Sequence, residues 1–462
     1  MAAIDGARRF RKSLLFLCKA LVFGVLISLL ALLYLYPADD APYKAATFWL
    51  GGNILVIFLY AVLLVVFSSV YNATRFGVLR LGEIIYSFGI SIFMANLIIW
   101  MVFCLIARTL LSPLWLIILT AVQVLVTALF SWWINKLYFR LYPPRKLAVI
   151  YSDRRQAMNI IGKMTSRWER YQVCVALHEG EDHDIIMDAV KEYGAVLLCR
   201  VNADLEDELF DYCNRNGKRV YLLPAIKDIS IRASATTQLY DTPLFYCKNA
   251  GPTTEQLLVK RVMDVAICAI ALIPLSVIML LVAAAIWLYD RGPILYKQQR
   301  LTRFGKVFTL YKFRSMRVDA EKYGAQLSSK NDPRVTPVGR VIRMLRMDEL
   351  PQLLNILRGD MSLVGPRPER PEIAAEYEKN LPDFSLRLQM KAGLTGYAQV
   401  YGNYSSNIQD KLLLDMMYIE NYSLLMDLRL LFMTLKILFM PESTEGIAEG
   451  AKLPSDMEKP KS

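Results

Sequence analysis

Asp348 and Glu349 lie side by side in a segment where almost every other charge is positive. Arg340, Arg343 and Arg346 precede them at helical spacing, with Val341, Ile342 and Leu345 in between. That pattern predicts an amphipathic helix at a membrane interface, its guanidiniums turned toward phosphates. Pro351 suits a first helical turn, so the acid pair is expected near a helix N-terminus. There the helix dipole and the arginines would hold both carboxylates ionised. An ionised aspartate can attack phosphorus to give an acyl phosphate. A neighbouring glutamate can share Mg2+ with substrate phosphates. A plain acidic helix cap is the competing explanation, and the cations around the pair favour chemistry.

Upstream, residues 291–317 hold eight Lys or Arg and no acid: Arg291, Lys297, Arg300, Arg303, Lys306, Lys312, Arg314 and Arg317. Aromatics are interleaved at Tyr296, Phe304, Phe308, Tyr311 and Phe313. On a soluble protein this would suit nucleic acid. Beside a membrane helix it suits lipid headgroups or a diphosphate substrate. Downstream, Gly365-Pro366-Arg367-Pro368 predicts a rigid turn that offers one arginine for bidentate phosphate binding. Gly393, Gly396 and Gly402 mark a loop where backbone approaches a ligand or turns sharply.

The elements that must position these residues follow from hydropathy and charge. Of the 462 residues, 55% are hydrophobic, above the ~45–50% of soluble chains. Four apolar stretches, 13–36, 47–71, 84–107 and 112–138, each approach the ~20 residues that cross a bilayer. RRFRK at 8–12 imitates a signal-peptide start, but no small-residue cleavage site follows, so the first stretch is expected to be a transmembrane helix. Basic flanks at Arg8–Lys12, Arg75, Arg80, Lys136, Arg140, Arg145 and Lys146 contrast with the Asp39, Asp40 and Lys44 loop. By the positive-inside tendency, the N-terminus and everything after residue 140 are cytoplasmic. The net charge of +12 fits an anionic membrane surface or phosphorylated substrates.

Short runs at 147–151, 171–178, 195–201 and 219–224 alternate with polar helical segments, predicting a Rossmann-like α/β domain over 146–250 with a parallel sheet. Its first strand lacks the glycine-rich pyrophosphate turn, which favours a regulatory or dimerising role over cofactor binding. His178 and His183 read as part of a solvated turn, with metal binding as the alternative. The seven cysteines, odd in number and without CxxC spacing, argue against a disulfide framework or zinc site. The apolar run 262–289 is long enough for a fifth crossing, but both its ends are basic and Pro274 interrupts it. A re-entrant helix is expected, with a bent fifth span as the alternative. The segment 427–440 is too short to cross and is expected on the membrane surface.

Residues 260–440 closely resemble the bacterial polyprenyl-phosphate hexose-1-phosphate transferases, the monotopic phosphoglycosyl transferase superfamily. The resemblance rests on KRVMD (260–264), GPILYKQQR (292–300), FTLYKFRSM (308–316), DPRVTPVGR (332–340), MDELPQLLNILRGDMSLVGPRPE (347–369) and AGLTGYAQV (392–400). With the preceding helices and α/β domain, the chain looks like the large-form members. The resemblance implies four transmembrane helices in 1–140, a degenerate Rossmann-like domain, a mainly helical catalytic domain over 255–445 and a polar tail at 446–462. It implies transfer of sugar 1-phosphate from a UDP-sugar, glucose or galactose, to undecaprenyl phosphate with release of UMP. This would initiate exopolysaccharide, capsule or O-antigen synthesis at the cytoplasmic face of the bacterial inner membrane. Asp348 matches the family's nucleophile and Glu349 its Mg2+-associated partner. Arg343 and Arg367 match phosphate-site arginines, Lys312 and Arg314 fall in a basic motif beside them, and Arg300 and Lys306 complete the expected phosphate-binding set. Expected partners are the UDP-sugar, the lipid phosphate, membrane lipids and a second copy of the chain, with no nucleic acid. In one departure, the family's Ser-Pro bend is absent: Ser276 precedes Val277, and the proline is Pro274.

Two rivals make different demands. A nucleotide-sugar dehydratase or epimerase needs a glycine-rich NAD loop and a helical Tyr-x-x-x-Lys. The one such spacing, Tyr142 to Lys146, contains Pro143 and Pro144. A non-catalytic scaffold would tolerate loss of the Asp348 carboxylate.

Overall fold

The structure, a computed structural model, describes residues 2–35, 50–247, 251–318, 332–402 and 407–438. The expected outer loop with Asp39, Asp40 and Lys44 and the expected tail at 446–462 lie outside those residues. The chain forms two compact units that divide between Leu223 and Pro224.

The first unit opens with four helices, α1 (Ala2–Leu35), α2 (Leu50–Val70), α3 (Leu81–Ala107) and α4 (Leu114–Leu141). All four are long and apolar enough to cross a membrane. Arg11 Nη1 donates to the Leu141 carbonyl at 3.0 Å, so the start of α1 lies beside the end of α4. Deeper in the bundle, buried Gln123 on α4 meets the three other helices. Its Nε2 donates to the Leu26 carbonyl (3.0 Å) on α1 and to Tyr60 Oη (2.9 Å) on α2. Its Oε1 accepts from Asn96 Nδ2 (2.9 Å) on α3. In hydrocarbon such bonds hold helices together because no water competes for them.

Only residues 142–144, including Pro143 and Pro144, separate α4 from β1 (Arg145–Tyr151). There follow α5 (Arg154–Thr165), β2 (Tyr171–His178), α6 (His183–Glu192), β3 (Ala195–Cys199), α7 (Ala203–Arg215) and β4 (Arg219–Leu222). The four strands form a parallel sheet in the order β2-β1-β3-β4, as the alternating pattern predicts. Leu147, Val149 and Leu197 pack on Ala157 and Ile161 of α5. Ile150, Val196 and Leu198 pack on α6 and α7 from the opposite face. At the carboxyl edge the chain's own acids occupy the helix starts. Asp153 accepts from Arg155 N (2.8 Å), Glu179 Oε2 from Asn202 N (2.7 Å) and Asp182 from Asp184 N (3.4 Å). A helix N-terminus that would attract a nucleotide phosphate is thus already neutralised.

The second unit begins with α8 (Ile226–Ala233) and the antiparallel hairpin β5 (Ala235–Leu239) and β6 (Thr242–Tyr246). The expected α/β domain extended to 250, but Ile229 is buried in the second unit's core and Ser230 Oγ donates to Glu420 Oε1 at 2.9 Å. The segment 224–247 therefore belongs with the second unit. Next come α9 (Thr254–Asp290), the hairpin β7 (Leu295–Leu301) and β8 (Val307–Phe313), α10 (Pro337–Met344), α11 (Gln352–Arg358), β9 (Ser362–Val364) and α12 (Pro371–Asn380). Then follow β10 (Gly393–Thr395), paired in parallel with β9, α13 (Tyr397–Tyr401), α14 (Ile408–Glu420) and α15 (Leu424–Leu438). The unit is mixed α/β, its helices interspersed with two antiparallel hairpins and the parallel β9–β10 pair, where a mainly helical domain was expected.

Thr253 starts α9 with a capping box to Gln256, and Pro274 lies inside the helix. One face of α9 packs on the unit along its whole length. Lys260 Nζ meets Asp427 Oδ2 at 2.5 Å, and Ser362 Oγ donates to Asp264 Oδ2 at 2.7 Å. Cys268 enters the main core, Val282 and Ile286 pack with Phe313 and Ile342, and Asp290 pairs with Arg314. The opposite face exposes Val262, Ile270, Ile273, Val277, Leu280, Leu281 and Leu288. The helix α15 buries Asp427, Leu430, Met433 and Lys436 in the unit, while Leu425 and Leu435 face outward. Only its outer face is free to meet a membrane.

Candidate active site

Thr336 caps α10 by accepting from Gly339 N at 2.9 Å, and Pro337 opens its first turn. The helix stops at Met344, so Arg340 and Arg343 are helical and Arg346 is not. Arg346 is left-handed (φ +51°), a conformation that costs a side-chain-bearing residue about 1–3 kcal/mol. It reverses the chain into a 3-10 turn, Met347–Glu349, that carries both acids. Pro351 then stands at the cap of α11 rather than inside its first turn. Buried Asn355 fixes α11 to β8: its Oδ1 accepts from Tyr311 N (3.1 Å) and its Nδ2 donates to the Thr309 carbonyl (2.7 Å). Arg261 of α9 binds the other end of α11 through the Ile356 (2.5 Å) and Leu357 (2.7 Å) carbonyls.

Glu349 Oε1 receives Lys312 Nζ at 3.2 Å and Arg367 Nη2 at 3.6 Å. Arg346 adds a third positive charge near this carboxylate. Burial alone would raise the pKa of this carboxyl group, but Lys312, Arg367 and Arg346 outweigh it and pull the group down to about 2. Asp348 goes the other way. Burial and the charge of Glu349 raise its pKa, opposed by Lys312 and Arg343. The expectation that both acids are held ionised alike is thus refined into a split pair. Asp348 is half-buried and accepts no hydrogen bond from another side chain among the described residues. Arg343 Nε binds Ser315 Oγ at 2.8 Å, which anchors that guanidinium beside Asp348.

The hairpin β7–β8 supplies Lys312. Tyr296 lies opposite Lys312, and the same face carries Gln298 and Arg300. Gln298 donates to Tyr296 Oη (3.0 Å) and accepts from Arg300 Nε (2.9 Å), while Arg300 Nη1 donates to the Pro368 carbonyl (2.9 Å). From the other side Arg387 Nη2 donates to the Arg367 carbonyl (2.9 Å), itself held by Asp415 (2.8 Å) and Glu369 (3.7 Å). Two arginines therefore clamp the backbone of the Gly-Pro-Arg-Pro turn and leave the Arg367 side chain to reach Glu349. The turn also needs Gly365. A Cβ there would lie 2.3 Å from the Lys391 carbonyl oxygen, and one on Gly396 would lie 2.1 Å from the Gly365 oxygen. The glycines at 393 and 396 thus let backbone meet backbone, not a ligand.

The structure gathers Asp348, Glu349, Lys312, Arg343 and Arg367 and places Arg300 one step behind, on the turn that carries Arg367. It sends two expected phosphate ligands elsewhere. Arg314 ion-pairs with Asp290 at the end of α9, under Gly292. Lys306 is exposed at the tip of the hairpin, six residues from Lys312, or about 20 Å along the strand. A count of charges along the chain cannot see that separation. Arg387, Asp415 and Asn355 escaped the sequence reading because buried polar groups only declare themselves through distant partners. No cluster of three or more His, Cys, Asp or Glu suited to a metal occurs among the described residues.

Asp348, with no side-chain hydrogen bond among the described residues, its neighbour Glu349 and the cations Lys312, Arg343 and Arg367 thus form one cluster on an integral membrane protein. Residues 255–441 match the bacterial sugar transferase family. The chain is 39% identical over 187 residues to the exopolysaccharide production protein PSS of Rhizobium leguminosarum bv. phaseoli, covering 38% of this chain and 94% of that protein. It is 40% identical over 253 residues to the UDP-N-acetylgalactosamine-undecaprenyl-phosphate N-acetylgalactosaminephosphotransferase of Aeromonas hydrophila, 53% of this chain and 60% of the relative. It is 31% identical over 312 residues to the undecaprenyl-phosphate glucose phosphotransferase of Komagataeibacter xylinus, 63% of this chain and 58% of the relative. The chain thus spans less than two thirds of the latter two proteins. It belongs to the bacterial sugar transferase family.

Proposed function

We propose that the chain transfers a sugar 1-phosphate from a UDP-sugar to undecaprenyl phosphate at the cytoplasmic face of the bacterial inner membrane, the first step of polysaccharide assembly. The observation that carries this reading is Asp348: half-buried, accepting no side-chain hydrogen bond among the described residues, and flanked by Lys312 and Arg343. An Asp348 carboxylate oxygen attacks the phosphorus that bears the sugar, the phosphorus–oxygen bond to UMP breaks, and UMP departs. An oxygen of undecaprenyl phosphate then attacks the same phosphorus and breaks its bond to Asp348. Lys312, Arg343 and Arg367 offset the charge of the diphosphate. The ionised Glu349 carboxylate suits Mg2+ and would hold it together with substrate phosphates. When bound, that ion supplies charge neutralisation at the diphosphate.

The packing of α9 supports the re-entrant reading. Both ends of the helix hold residues of one compact unit, Asp427 and Arg314, which favours returning them to the same side of the bilayer. Its apolar outer face suits burial in one leaflet. Two relatives are named for N-acetylgalactosamine and glucose, which supports a UDP-sugar donor, with UDP-glucose and UDP-galactose the first candidates. The test is UMP release from UDP-glucose, UDP-galactose and UDP-N-acetylgalactosamine with undecaprenyl phosphate and Mg2+. Release with one of them is expected, and silence with all of them overturns the proposal.

A further inference from the structure

The amino edge of the α/β domain carries Lys146, Lys163, Arg167 and Arg170. The amino edge is the one that faces the helix bundle, because β1 starts only residues 142–144 beyond α4. Arg145 N donates to the Arg170 carbonyl at 3.0 Å, which sets the loop 166–170 beside that junction. Arg167 Nη2 lies 3.7 Å from Glu83, in the first turn of α3. Arg80 caps the same turn, so the loop sits at the level where an apolar helix begins. At its crest Trp168 is 69% exposed, between Arg167 and Arg170. A large indole in water is costly, yet its apolar ring and N–H donor suit the headgroup layer, where tryptophan collects. The Arg167 guanidinium reaches Glu83 and the Arg170 guanidinium lies over the Tyr171 ring, so the two arginines hold the loop in place beneath Trp168.

We propose that the loop 166–170, with Trp168 at its crest, is a headgroup anchor that seats the α/β domain on the bilayer. The loop adds no substrate contact. It rests on α1–α4 as spanning helices and is independent of the transfer chemistry. Anchored there, the domain holds the bundle's basic end against the membrane surface.

The full chain, reconstituted in phosphatidylethanolamine and phosphatidylglycerol vesicles, tests this with lipids brominated near the head of the acyl chains. The chain has seven tryptophans, so the difference between wild type and Trp168→Phe isolates one emission. That difference emission is expected to be blue-shifted and to lose intensity with shallow bromines more than with deep ones. It is expected to recover when Arg167 and Arg170 are both replaced by Gln. Trp168 lies outside the catalytic unit, so UMP release in detergent remains as a control for folding. A red-shifted, unquenched difference emission overturns the proposal. So does an unquenched emission with a Trp168→Phe chain that loses a dimer, which would give the loop to a second copy.

Discussion

Asp348 and Glu349 are chemically identical headgroups made unequal by their neighbours. Asp348→Asn is expected to cut UMP release by on the order of 10⁴-fold or more, the scale of losing a nucleophile. Its melting temperature should hold or rise, because folding raises the pKa of Asp348 and so works against its charge at neutral pH. Glu349→Gln should instead destabilise by about 1–3 kcal/mol, read in thermal unfolding, since it strands Lys312 and Arg367. With its pKa near 2, Glu349 contributes stability above its unfolded value of about 4.3, lost as pH falls toward 2. The acid limb of kcat/KM therefore reports Asp348 and should lie above an ordinary aspartate value, with the pair titrating as coupled groups. The pair itself was legible in the sequence as two acids among arginines. Its inequality was not, because Lys312 reaches Glu349 from a strand 37 residues upstream.

Among elements, α9 depends most on buried polar ties. Lys260 and Asp427 are almost fully buried, so Lys260→Met should cost about 3–5 kcal/mol by leaving Asp427 unpaired. A Lys260→Met/Asp427→Leu double variant should recover much of that loss in the same unfolding experiment. The motif KRVMD was visible in the sequence, but its structural part was not, since Lys260, Arg261 and Asp264 fasten the helix rather than contact substrate. Gly365→Ala should likewise lower both melting temperature and UMP release, since its Cβ would meet backbone that cannot swing aside. Helical spacing carried the sequence reading to Arg346, and the chain left the helix there because Arg346 adopts a positive φ. Periodicity describes what a helix would do and says little about where a turn ends it.

Across the molecule, the proposed catalytic residues all lie in the second unit, which also holds the whole family match at 255–441. A chain beginning at Pro224 is therefore expected to release UMP in detergent at a rate within about tenfold of the full chain, one decade being about 1.4 kcal/mol. The strand–helix alternation made the parallel sheet legible, whereas the division at Leu223 was not, because α8 and its hairpin resemble a continuing α/β pattern until Ile229 finds its core. The joint at 142–144 has a mechanical meaning of its own. With two prolines in three residues, it transmits rotation instead of absorbing it. An added residue in the last turn of α4 would roll the sheet by about 100° about the helix axis. The bundle and the sheet thus turn as a crank and its arm, and the length of α4 sets the direction in which the arm points.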